Sequence, residues 1–380
     1  MMKGITEVEI ENKKIFLRVD WNVPLDQGKI LDDYRISATI PTIKYLRDRG
    51  CRIIIGTHVG RPDGEIVPSL STKILAQRFS LLTKFPVSAT DYIIESDVRK
   101  YIFSMKKGEI LVLGNLRWQP EEEQNNQAFA QILSSYGEAY INDAFAVSHR
   151  AHASVEAITH FLPSYAGFLL EKEMTMLSTL SANPRRPFIL VLGGAKIKDK
   201  IGLIRNFVDK SDSIIVGGAI GNTIRYFLGE KVGSSVKETN SETMVKEIVD
   251  KAKDKLALPV DDKKQVMADG HFSIFDIGPK SVKKFSQIIS NAKTVFWNGN
   301  MGMSEKKEFA EGTLGIARAI ANNSNITIVA GGDTVGFIRK NNLYDKYKFV
   351  STGGGAALEF LAGKKLPGLL ALGYYINNNG

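Results

Sequence analysis

The sequence predicts an α/β protein built from two doubly wound parallel-sheet (Rossmann-like) lobes joined by a hinge helix. Its 380 residues exceed the size at which a single hydrophobic core stops growing, so we expect about two domains. Short apolar runs alternate with helical patterns in two series, before and after about residue 170, as in parallel sheets covered on both faces. Polar and glycine clusters directly after the apolar runs predict ligand sites at the carboxyl ends of the strands.

The first series places strands at residues 15–19, 53–55, 110–113 and 139–141, with helices at 36–49 and 128–136. The second series places strands at residues 188–192, 213–216, 294–297, 326–330 and 348–350. Between them, residues 169–180 show a helical pattern with few turn signals before Asn183-Pro184, so we predict a rigid connection between the lobes. The pattern leaves open which lobe receives residues 358–380.

Composition excludes several classes of protein. Apolar residues make up 43% and charged residues 24%, as in globular proteins. No apolar run approaches the roughly 20 residues that cross a bilayer, and the N-terminus lacks the apolar core of a signal peptide. The single cysteine, Cys51, fits a reducing compartment, and no Cys/His metal spacing exists. We therefore expect a cytoplasmic protein without a membrane partner.

The net charge of +9 lies entirely in the second half of the chain. Residues 1–170 hold 20 basic and 20 acidic side chains, whereas residues 171–380 hold 30 and 21. This excess could suit polyanionic nucleotides or could be a solvated lysine-rich surface. No arginine-rich run with interleaved aromatic residues is present, so we expect no nucleic-acid partner.

Polar residues in the first half collect at one edge of the predicted sheet. They follow strands or begin a helix: Asp20, Asn22, Arg35, His58, Arg61, Arg117 and Arg150. Each arginine alone could be a surface ion pair, but four arginines and a histidine on one edge of a neutral domain favour a binding site. Guanidinium groups bind phosphate and carboxylate in a bidentate manner, so we predict a small substrate with several anionic oxygens. Asp20 and Asn22 could hydrogen-bond a hydroxyl of that substrate.

The stretch VLGGAKIKDKIG, residues 191–202, reads as the end of a buried strand, a glycine turn and a helix. The glycines allow close approach of a ligand, and the free amides of the first helical turn attract anions. Lys196 and Lys200 lie four apart, which predicts both ammonium groups over the same helix end. A phosphate chain fits this stretch, although an ordinary turn before an amphipathic helix would look the same.

Four further glycine clusters follow strands of the second half, at residues 217–219, 298–302, 331–334 and 353–355. The last cluster precedes a helical pattern at residues 356–361, which predicts another anion-attracting helix end. Asp333 could bind Mg²⁺ directly or through water, and Glu305 is placed to accept hydrogen bonds from a ribose. Together the clusters predict a nucleotide site.

Two familiar kinds of nucleotide site are missing from the sequence. It contains neither the GxxxxGK[ST] loop nor the HRD and DFG motifs of protein kinases. Residues 217–222 imitate a dinucleotide fingerprint but lack the full GxGxxG. A nicotinamide-dependent dehydrogenase, and a non-enzymatic adaptor or nucleic-acid binder, are the alternatives from other classes.

The sequence resembles the phosphoglycerate kinase family over nearly its whole length. The matching motifs occur in the family's order: RVDWNVPL, DDYRI, THVGRP, NLRW, NDAFAVSHRAHAS, LGGAKIKDKI, WNGNMG, GGDT and STGGGAALEFLAGKKLPG. The resemblance implies reversible phosphoryl transfer between 1,3-bisphosphoglycerate and ADP, giving 3-phosphoglycerate and ATP, with Mg²⁺, in glycolysis and gluconeogenesis. It implies a monomer in which residues 1–168, with residues 359–380 packed back on them, bind the glycerate. Residues 169–358, beginning with the interdomain helix, would bind the nucleotide, and a hinge would close the two lobes.

The resemblance also assigns roles to residues at matching positions. Substrate binding falls to Asp20, Asn22, Arg35, His58, Arg61, Arg117 and Arg150. Catalysis falls to Arg35, Lys196, Lys200, Gly354 and Gly355. Nucleotide binding falls to Gly194, Ala195, Lys200, Gly218, Asn298, Glu305, Gly331, Gly332, Asp333 and Thr334, with Asp333 at the metal.

Five positions depart from the family pattern. Trp21 and Trp118 stand where phenylalanine is common, Asn300 where proline is usual, and Ser304 where phenylalanine is usual. Ile274 occupies a position that the family usually gives to a glycine near the adenine. The Ile274 departure bears on the shape of the base pocket and on nucleotide affinity, and we expect the chemistry to be retained.

Overall fold

The structure is a computed structural model that describes residues 2–268 and 270–375. The chain divides into two compact units. One contains the residues up to Thr175 together with those from Lys365 onward, and the other is Met176–Lys364. The division between Thr175 and Met176 falls inside a single long helix, so the connection between the units is helical, as the sequence predicts.

The first unit is organised around a parallel sheet. Its strands are β1 (Lys14–Val19), β2 (Leu25–Asp26), β3 (Lys29–Ile30), β4 (Arg52–Gly56), β5 (Ser88–Ala89), β6 (Ile110–Val112), β7 (Ala139–Asp143) and β8 (Ser164–Ala166). Its helices are α1 (Tyr34–Ala38), α2 (Ile40–Asp48), α3 (Lys73–Thr83), α4 (Ser96–Ser104), α5 (Pro120–Glu123), α6 (Gln127–Ser134) and the start of α7 (Phe168–Ala182). Six strands form the parallel sheet in the order β5-β6-β4-β1-β7-β8, and β2 pairs with β3 as an antiparallel hairpin.

The second unit has the same plan. Its strands are β9 (Phe188–Leu192), β10 (Ser213–Val216), β11 (Leu256–Ala257), β12 (Asp262–Val266), β13 (Phe272–Ile277), β14 (Thr294–Asn298), β15 (Ile326–Ala330) and β16 (Phe349–Val350). Its helices after α7 are α8 (Ile201–Phe207), α9 (Gly218–Phe227), α10 (Glu242–Ala252), α11 (Pro279–Ser290), α12 (Glu311–Ala321), α13 (Gly332–Lys340) and α14 (Gly355–Leu361). The parallel order is β11-β10-β9-β14-β15-β16, and β12 pairs with β13 in an antiparallel hairpin.

The last described helix, α15 (Pro367–Ala371), belongs to the first unit. The amide of Gly368 donates a hydrogen bond to the carbonyl of Ser148, 2.9 Å away. A Cβ on Gly368 would lie 3.0 Å from the backbone of Ser148, so the two segments are in close contact. Of the C-terminal stretch whose place the sequence pattern left open, residues 365–375 therefore belong to the first unit, residues 358–364 belong to the second, and residues 376–380 lie outside the described residues.

The two parallel sheets confirm the predicted fold class. Every residue of β9 is buried, because helices cover both faces of the sheet and an apolar run has no polar side to show. The sequence missed the edge strands β5, β8 and β11, which are only two or three residues long. It also missed both antiparallel hairpins.

The helix predicted over residues 36–49 is wrong in one respect, because it is broken into α1 and α2 at Thr39. The Thr39 hydroxyl donates a hydrogen bond to the carbonyl of Ile36, 2.9 Å away, and Pro41 lies in the first turn of α2. A proline in a first turn needs no amide partner, so it begins the second helix and does not continue the first. The Thr39 hydroxyl also accepts a hydrogen bond from Trp21 Nε1 at 3.0 Å, which seats this fully buried tryptophan.

Packing explains the single cysteine. Cys51 is fully buried, and its Sγ lies 3.0 Å from the carbonyl oxygen of Ile10. Burial raises the pKa of this thiol to about 11, so it is an unreactive packing residue, as the sequence indicates. Among the described helices, none has the length and apolar character needed to span a membrane.

Each sheet reverses its strand order beside its first strand. In the first sheet β1 lies between β4 and β7, and in the second β9 lies between β10 and β14. In open parallel sheets such a reversal opens a crevice beyond the carboxyl ends of the strands, where ligands bind. The carboxyl ends of these strands are therefore the places to look for sites.

Candidate active site

In the first unit, the loops after β1 and β4 are joined by polar side chains. Arg35, from α1, forms an ion pair with the carboxylate of Asp20, which follows β1. The side-chain oxygen of Asn22 accepts a hydrogen bond from the amide of Gly60 at 2.9 Å. His58 is buried in the loop after β4, with Nδ1 3.9 Å from Asp20 Oδ1. These four predicted site residues therefore form one cluster.

Two further arginines meet at a carboxylate that the sequence did not single out. Arg117 lies in a 3₁₀ turn (Leu116–Trp118) after β6, is almost completely buried, and donates from Nη1 to the carbonyl of Gly60 at 3.0 Å. Its Nε lies 3.0 Å from Oε1 of Glu123, the last residue of α5. The same oxygen lies 3.9 Å from Nη1 of Arg150. Glu123 thus bridges Arg117 and Arg150.

Arg61 is the remaining predicted member of the cluster. It directly follows Gly60 in the loop after β4 and is exposed. Within the described part of the chain, Arg61 has no acidic partner at ion-pair distance, unlike Arg35, Arg117 and Arg150. The backbone of Arg61 is therefore adjacent to the cluster, but within the described residues its side chain forms no ion pair there.

A buried ionic network contacts the cluster through His58, and it was not predicted from the sequence. Arg18, within β1, is fully buried and donates from Nε to the hydroxyl of Ser154 at 2.8 Å. Ser154 in turn donates to Glu122 from its amide and its hydroxyl, at 2.9 and 2.6 Å. Glu122 Oε1 lies 3.8 Å from Arg18 Nη2. A charged residue inside an otherwise apolar strand was the signal that could have revealed this network.

The network also determines the state of His58. Arg18 Nη2 lies 3.3 Å from His58 Nδ1, and since a guanidinium can only donate, Nδ1 is the acceptor and the ring proton sits on Nε2. Burial, reinforced by the charges of Arg18, Arg117 and Arg35, holds the pKa of His58 well below its usual value. His58 is therefore a neutral hydrogen-bond donor at neutral pH.

In the second unit, the carboxyl ends of the strands surround a cavity of about 790 Å³. Its lining contains every residue that the sequence assigned to the nucleotide or to catalysis in this half: Gly194, Ala195, Lys196, Lys200, Gly218, Asn298, Glu305, Gly331, Gly332, Asp333, Thr334, Gly354 and Gly355. A cavity of this size is typical of small-molecule sites.

Close backbone contacts explain why glycines line this cavity. The loop after β9 passes the loop after β14, and the amide of Gly194 donates to the carbonyl of Asn300 at 3.0 Å. A Cβ on Gly193 would lie 2.2 Å from that carbonyl oxygen, so only glycine fits there. Gly193 is thus required by the crossing of the two loops.

A 3₁₀ turn, Ile197–Asp199, separates Lys196 from α8, so the helix begins later than the sequence pattern indicates. Both lysines line the cavity. Lys196 has extended backbone and an exposed side chain, because the chain has not yet entered a helix there. Lys200 directly precedes α8, is buried, and donates from its ammonium to Asn298 Oδ1.

Hydrogen bonds order the other polar residues of the cavity. Burial lowers the pKa of Lys200 to about 8, against the opposing effect of the Asp199 and Asp333 carboxylates. Asn298 donates from Nδ2 to the carbonyl of Ala330 at 2.7 Å, and Thr334 accepts from the amide of Gly299 at 2.8 Å. Asp333 stands exposed in the first turn of α13.

Two of the five positions that depart from the family pattern, Ile274 and Asn300, line the cavity. Ile274, in β13, lines it, and its amide donates to the hydroxyl of Ser235 at 2.8 Å. Asn300 donates from Nδ2 to the hydroxyl of Ser304 at 2.6 Å, so two of the departures contact each other. Another lining residue, Asp276, was missed by the sequence reasoning. It accepts from the amide of Gly312 at 2.6 Å, and burial raises its pKa to about 6.

Comparisons with known proteins agree with this geometry. The family model described as phosphoglycerate kinase matches residues 5–364. Phosphoglycerate kinases from Coprothermobacter proteolyticus and Moorella thermoacetica are each 41% identical to the chain. The first alignment covers 98% of both proteins, and the second covers 97% of this chain and 98% of the relative.

Solved structures give the same result. Phosphoglycerate kinase from Coxiella burnetii superposes with a TM-score of 0.86 at 32% identity, covering 98% of this chain and 99% of that one. The enzyme from Pyrococcus horikoshii OT3 also has a TM-score of 0.86 at 32% identity, with 98% of each chain covered. By sequence over nearly its whole length, and by fold, the chain belongs to the phosphoglycerate kinase family.

Proposed function

We propose that this chain transfers a phosphoryl group reversibly between 1,3-bisphosphoglycerate and ADP, giving 3-phosphoglycerate and ATP. This is the reaction named for its relatives, and the chemistry assigns it to the phosphotransferases with a carboxyl group as acceptor. The observation that carries the proposal is the cavity of the second unit, whose wall retains every residue expected at the nucleotide. The family match extends over both units, so neither alternative from another class has support.

We assign glycerate binding to the cluster of the first unit, made of Asp20, Asn22, Arg35, His58, Arg61, Arg117 and Arg150. Guanidinium groups suit the phosphate and carboxylate of the substrate. His58 would donate from Nε2–H, because Arg18 occupies Nδ1. Asp20 and Asn22 would hold the hydroxyl. In this assignment the glycerate lobe is residues 1–168 with residues 359–380.

We assign nucleotide binding to residues 169–358. Lys200 and the amides at the start of α13 and α14 would hold phosphates, and Glu305 would accept hydrogen bonds from the ribose. The exposed ammonium of Lys196 is available to a group at the mouth of the cavity. Ile274 adds an apolar surface where the base would lie.

The transfer itself requires positioning and charge neutralisation. The carboxylate of 3-phosphoglycerate is ionised at neutral pH, so it attacks the terminal phosphorus of ATP without a general base. The new oxygen–phosphorus bond forms as the bond to the leaving ADP oxygen breaks. Arg35, Lys196 and the amides of Gly354 and Gly355 would stabilise the group in transfer. Since these residues come from different units, we propose a hinge motion that closes the two lobes and excludes water.

Asp333 is our candidate ligand for Mg²⁺. Its carboxylate is exposed on the cavity wall, and hard oxygen donors suit this ion. Within the described residues no group of three or more His, Cys, Asp or Glu side chains is placed to hold a metal. A single carboxylate fits an ion that is held mainly by nucleotide phosphates, whose negative charge the ion would offset. We further propose a cytoplasmic monomer that acts in glycolysis and gluconeogenesis, with no membrane or nucleic-acid partner.

The test is a coupled assay with 3-phosphoglycerate and MgATP, in which a downstream dehydrogenase reports 1,3-bisphosphoglycerate. We expect turnover that disappears when the glycerate, ATP or Mg²⁺ is omitted. Folded protein without turnover in the complete mixture would refute the proposal.

A further inference from the structure

The arginine cluster contains an acidic side chain that a site for anions does not obviously need. Glu123 Oε1 lies 3.0 Å from Arg117 Nε and 3.9 Å from Arg150 Nη1. A carboxylate in this position would repel a phosphorylated, carboxylated substrate. Its presence beside two arginines that we assign to that substrate therefore calls for an explanation.

The contact between Glu123 and Arg117 is ionic without being a well-formed hydrogen bond. Arg117 Nε is buried, and no acceptor in the described ranges meets hydrogen-bond geometry with it. The Glu123 carboxylate lies close enough to neutralise the guanidinium but is not aligned with its N–H. A correctly oriented oxygen would therefore gain a hydrogen bond that Glu123 does not make.

The clustered arginines nevertheless need a counter-ion whenever no substrate is bound. Arg117 is only 4% exposed, and Arg150 and Arg18 carry positive charges nearby. Burial lowers the pKa of Arg117, whereas Glu123 raises it, so the carboxylate favours the charged arginine when no substrate is present. Without an anion, this group of guanidinium charges would destabilise the folded protein.

The Glu123 carboxylate is also able to move away from Arg117 and Arg150. Its side chain is 41% exposed, and it is the last residue of the short helix α5, so water can solvate the carboxylate once it moves away. Ion pairs with a partner this exposed are weak, because water competes for the carboxylate. The substrate brings several negative charges in place of one, which favours the exchange.

We propose that Glu123 is a placeholder anion: it neutralises Arg117 and Arg150 while the glycerate site is empty, and anionic substrate displaces it. This inference rests on the proposed function, because it assumes that these arginines receive the substrate. Glu123 thus lowers the affinity of the site for substrate without itself binding substrate. It stabilises the empty protein at the expense of affinity.

The test is Glu123→Gln, which keeps the size of the side chain and removes its charge. We expect the Kd for 3-phosphoglycerate, measured by calorimetry, to fall about three- to fivefold, because the substrate no longer competes with an ion pair. The KM for the glycerate should fall in parallel, with kcat within about twofold of the parent value. The melting temperature of the ligand-free protein should fall. A residue with a purely structural role would lower stability without improving affinity.

The matched control is Glu121→Gln, which makes the same charge change on the same helix. In the described ranges no arginine lies at ion-pair distance from Glu121, so we expect its affinity to stay within about twofold of the parent. Equal gains in both variants would overturn the inference, because general charge would then explain them. If Glu123→Gln does not fold, Glu123→Asp, with a shorter reach, should still bind more tightly than the parent.

Weaker or unchanged glycerate binding in Glu123→Gln would also overturn the inference. Inorganic phosphate serves as a second probe, because it can bind the arginines but lacks the other groups of the substrate. If the parent protein binds phosphate but not 3-phosphoglycerate, the proposed function fails while the phosphate affinities still test the placeholder role. Tighter phosphate binding in Glu123→Gln than in Glu121→Gln would support that role in either case.

Discussion

Lys200 donates a hydrogen bond from its ammonium to Asn298 Oδ1, which joins the start of α8 to the end of β14. Asn298 is fixed in turn by its bond to the carbonyl of Ala330, at the end of β15. The ammonium is therefore held, largely dehydrated, at the point where several strands end. A cation that has already lost most of its water is well prepared to bind a phosphate.

The first prediction concerns the pH dependence of nucleotide binding. Burial lowers the pKa of Lys200 to about 8, so in the free protein its charge is lost as the pH rises through that value. Phosphate binds the charged form, so the Kd for ADP should rise about twofold from pH 7 to 8 and then by up to about tenfold per pH unit. Calorimetric titrations between pH 7 and 9.5 would measure this. Lys200→Met should bind ADP weakly and lose the pH dependence; a slope that persists in this variant would contradict the assignment.

The second prediction concerns Arg35, which pairs with Asp20. We expect Arg35→Ala to lower kcat by about 10³-fold, as for other arginines that stabilise a phosphoryl group in transfer. Circular dichroism should be unchanged, because Arg35 is partly exposed. The control is Arg205→Ala, which removes an exposed, ion-paired arginine of the second unit and should leave kcat within about twofold. A normal kcat in Arg35→Ala would remove Arg35 from the transfer step.

The third prediction concerns Asp276 and Gly312. The carboxylate accepts a hydrogen bond from the Gly312 amide, and a Cβ on Gly312 would lie 2.2 Å from Asp276 Oδ1. Gly312→Ala should therefore lower the free energy of unfolding by about 1–3 kcal/mol. Gly336→Ala is the control, because this glycine lies in α13 with no atom within 4 Å of an added Cβ. It should raise the free energy of unfolding by about 0.5–1 kcal/mol. Denaturant titrations that give both variants the same sign would contradict the packing described here.

The fourth prediction concerns Asp143, which is fully buried and accepts hydrogen bonds from the amides of Leu169 and Leu170 at the start of α7. Burial raises its pKa from 3.8 to about 6, with a smaller contribution from Glu171 and opposing hydrogen bonds from Thr42 and the two amides. Between these pH values the folded protein binds a proton that the unfolded chain does not. The contribution of Asp143 to stability is therefore present at low pH and decreases as the pH rises towards about 6.

Asp143→Asn cannot titrate and keeps an oxygen for the two amides. Its free energy of unfolding, relative to the parent, should rise by about 2 kcal/mol between pH 4.5 and pH 7. Urea titrations at both pH values would give this difference, and contributions from other groups common to both proteins, such as Asp276, would cancel. A relative stability that is independent of pH would show that Asp143 titrates normally.

The central strands could be predicted from the sequence because buried strands consist almost entirely of apolar residues. Each residue of β9 and β14 is buried, so an apolar run was unavoidable. Edge strands such as β5 and β11 are only two residues long, which is too short to show a strand pattern. The turn before α8 was misread because Ile197, Ile201 and Ile204 keep helical spacing, although Ile197 lies in a separate 3₁₀ turn.

For the candidate sites, the sequence suggested the residues but not their partners. The arginines were recognised because several arginines that follow strands are unusual in a neutral domain. Glu123 was not recognised, because it belongs to no familiar motif and an exposed glutamate carries no signal until its two arginine contacts are seen. Glu122 was missed for a related reason, since its burial depends on its contact with Ser154 in a distant part of the chain. Arg18 did carry a signal, as a charged residue inside an apolar strand, but its partners could not be read from the sequence.

The contacts of the residues that depart from the family pattern could not be predicted from the sequence either. Asn300 and Ser304 could be named from the sequence, but their mutual hydrogen bond could not, because it depends on the path of the loop after β14. Ile274 lines the cavity, and its effect on the shape of the cavity depends on packing that no sequence pattern encodes.

In our proposal, glycerate binds the arginines of the first unit and nucleotide binds the lysine of the second. The most direct test is calorimetric titration of 3-phosphoglycerate and of ADP, each into the parent protein, Arg61→Ala and Lys200→Met. We predict that Arg61→Ala raises the Kd for 3-phosphoglycerate about tenfold and leaves the Kd for ADP unchanged, and that Lys200→Met does the reverse. Loss of ADP binding in Arg61→Ala, or unchanged glycerate binding in that variant together with weakened glycerate binding in Lys200→Met, would contradict the account.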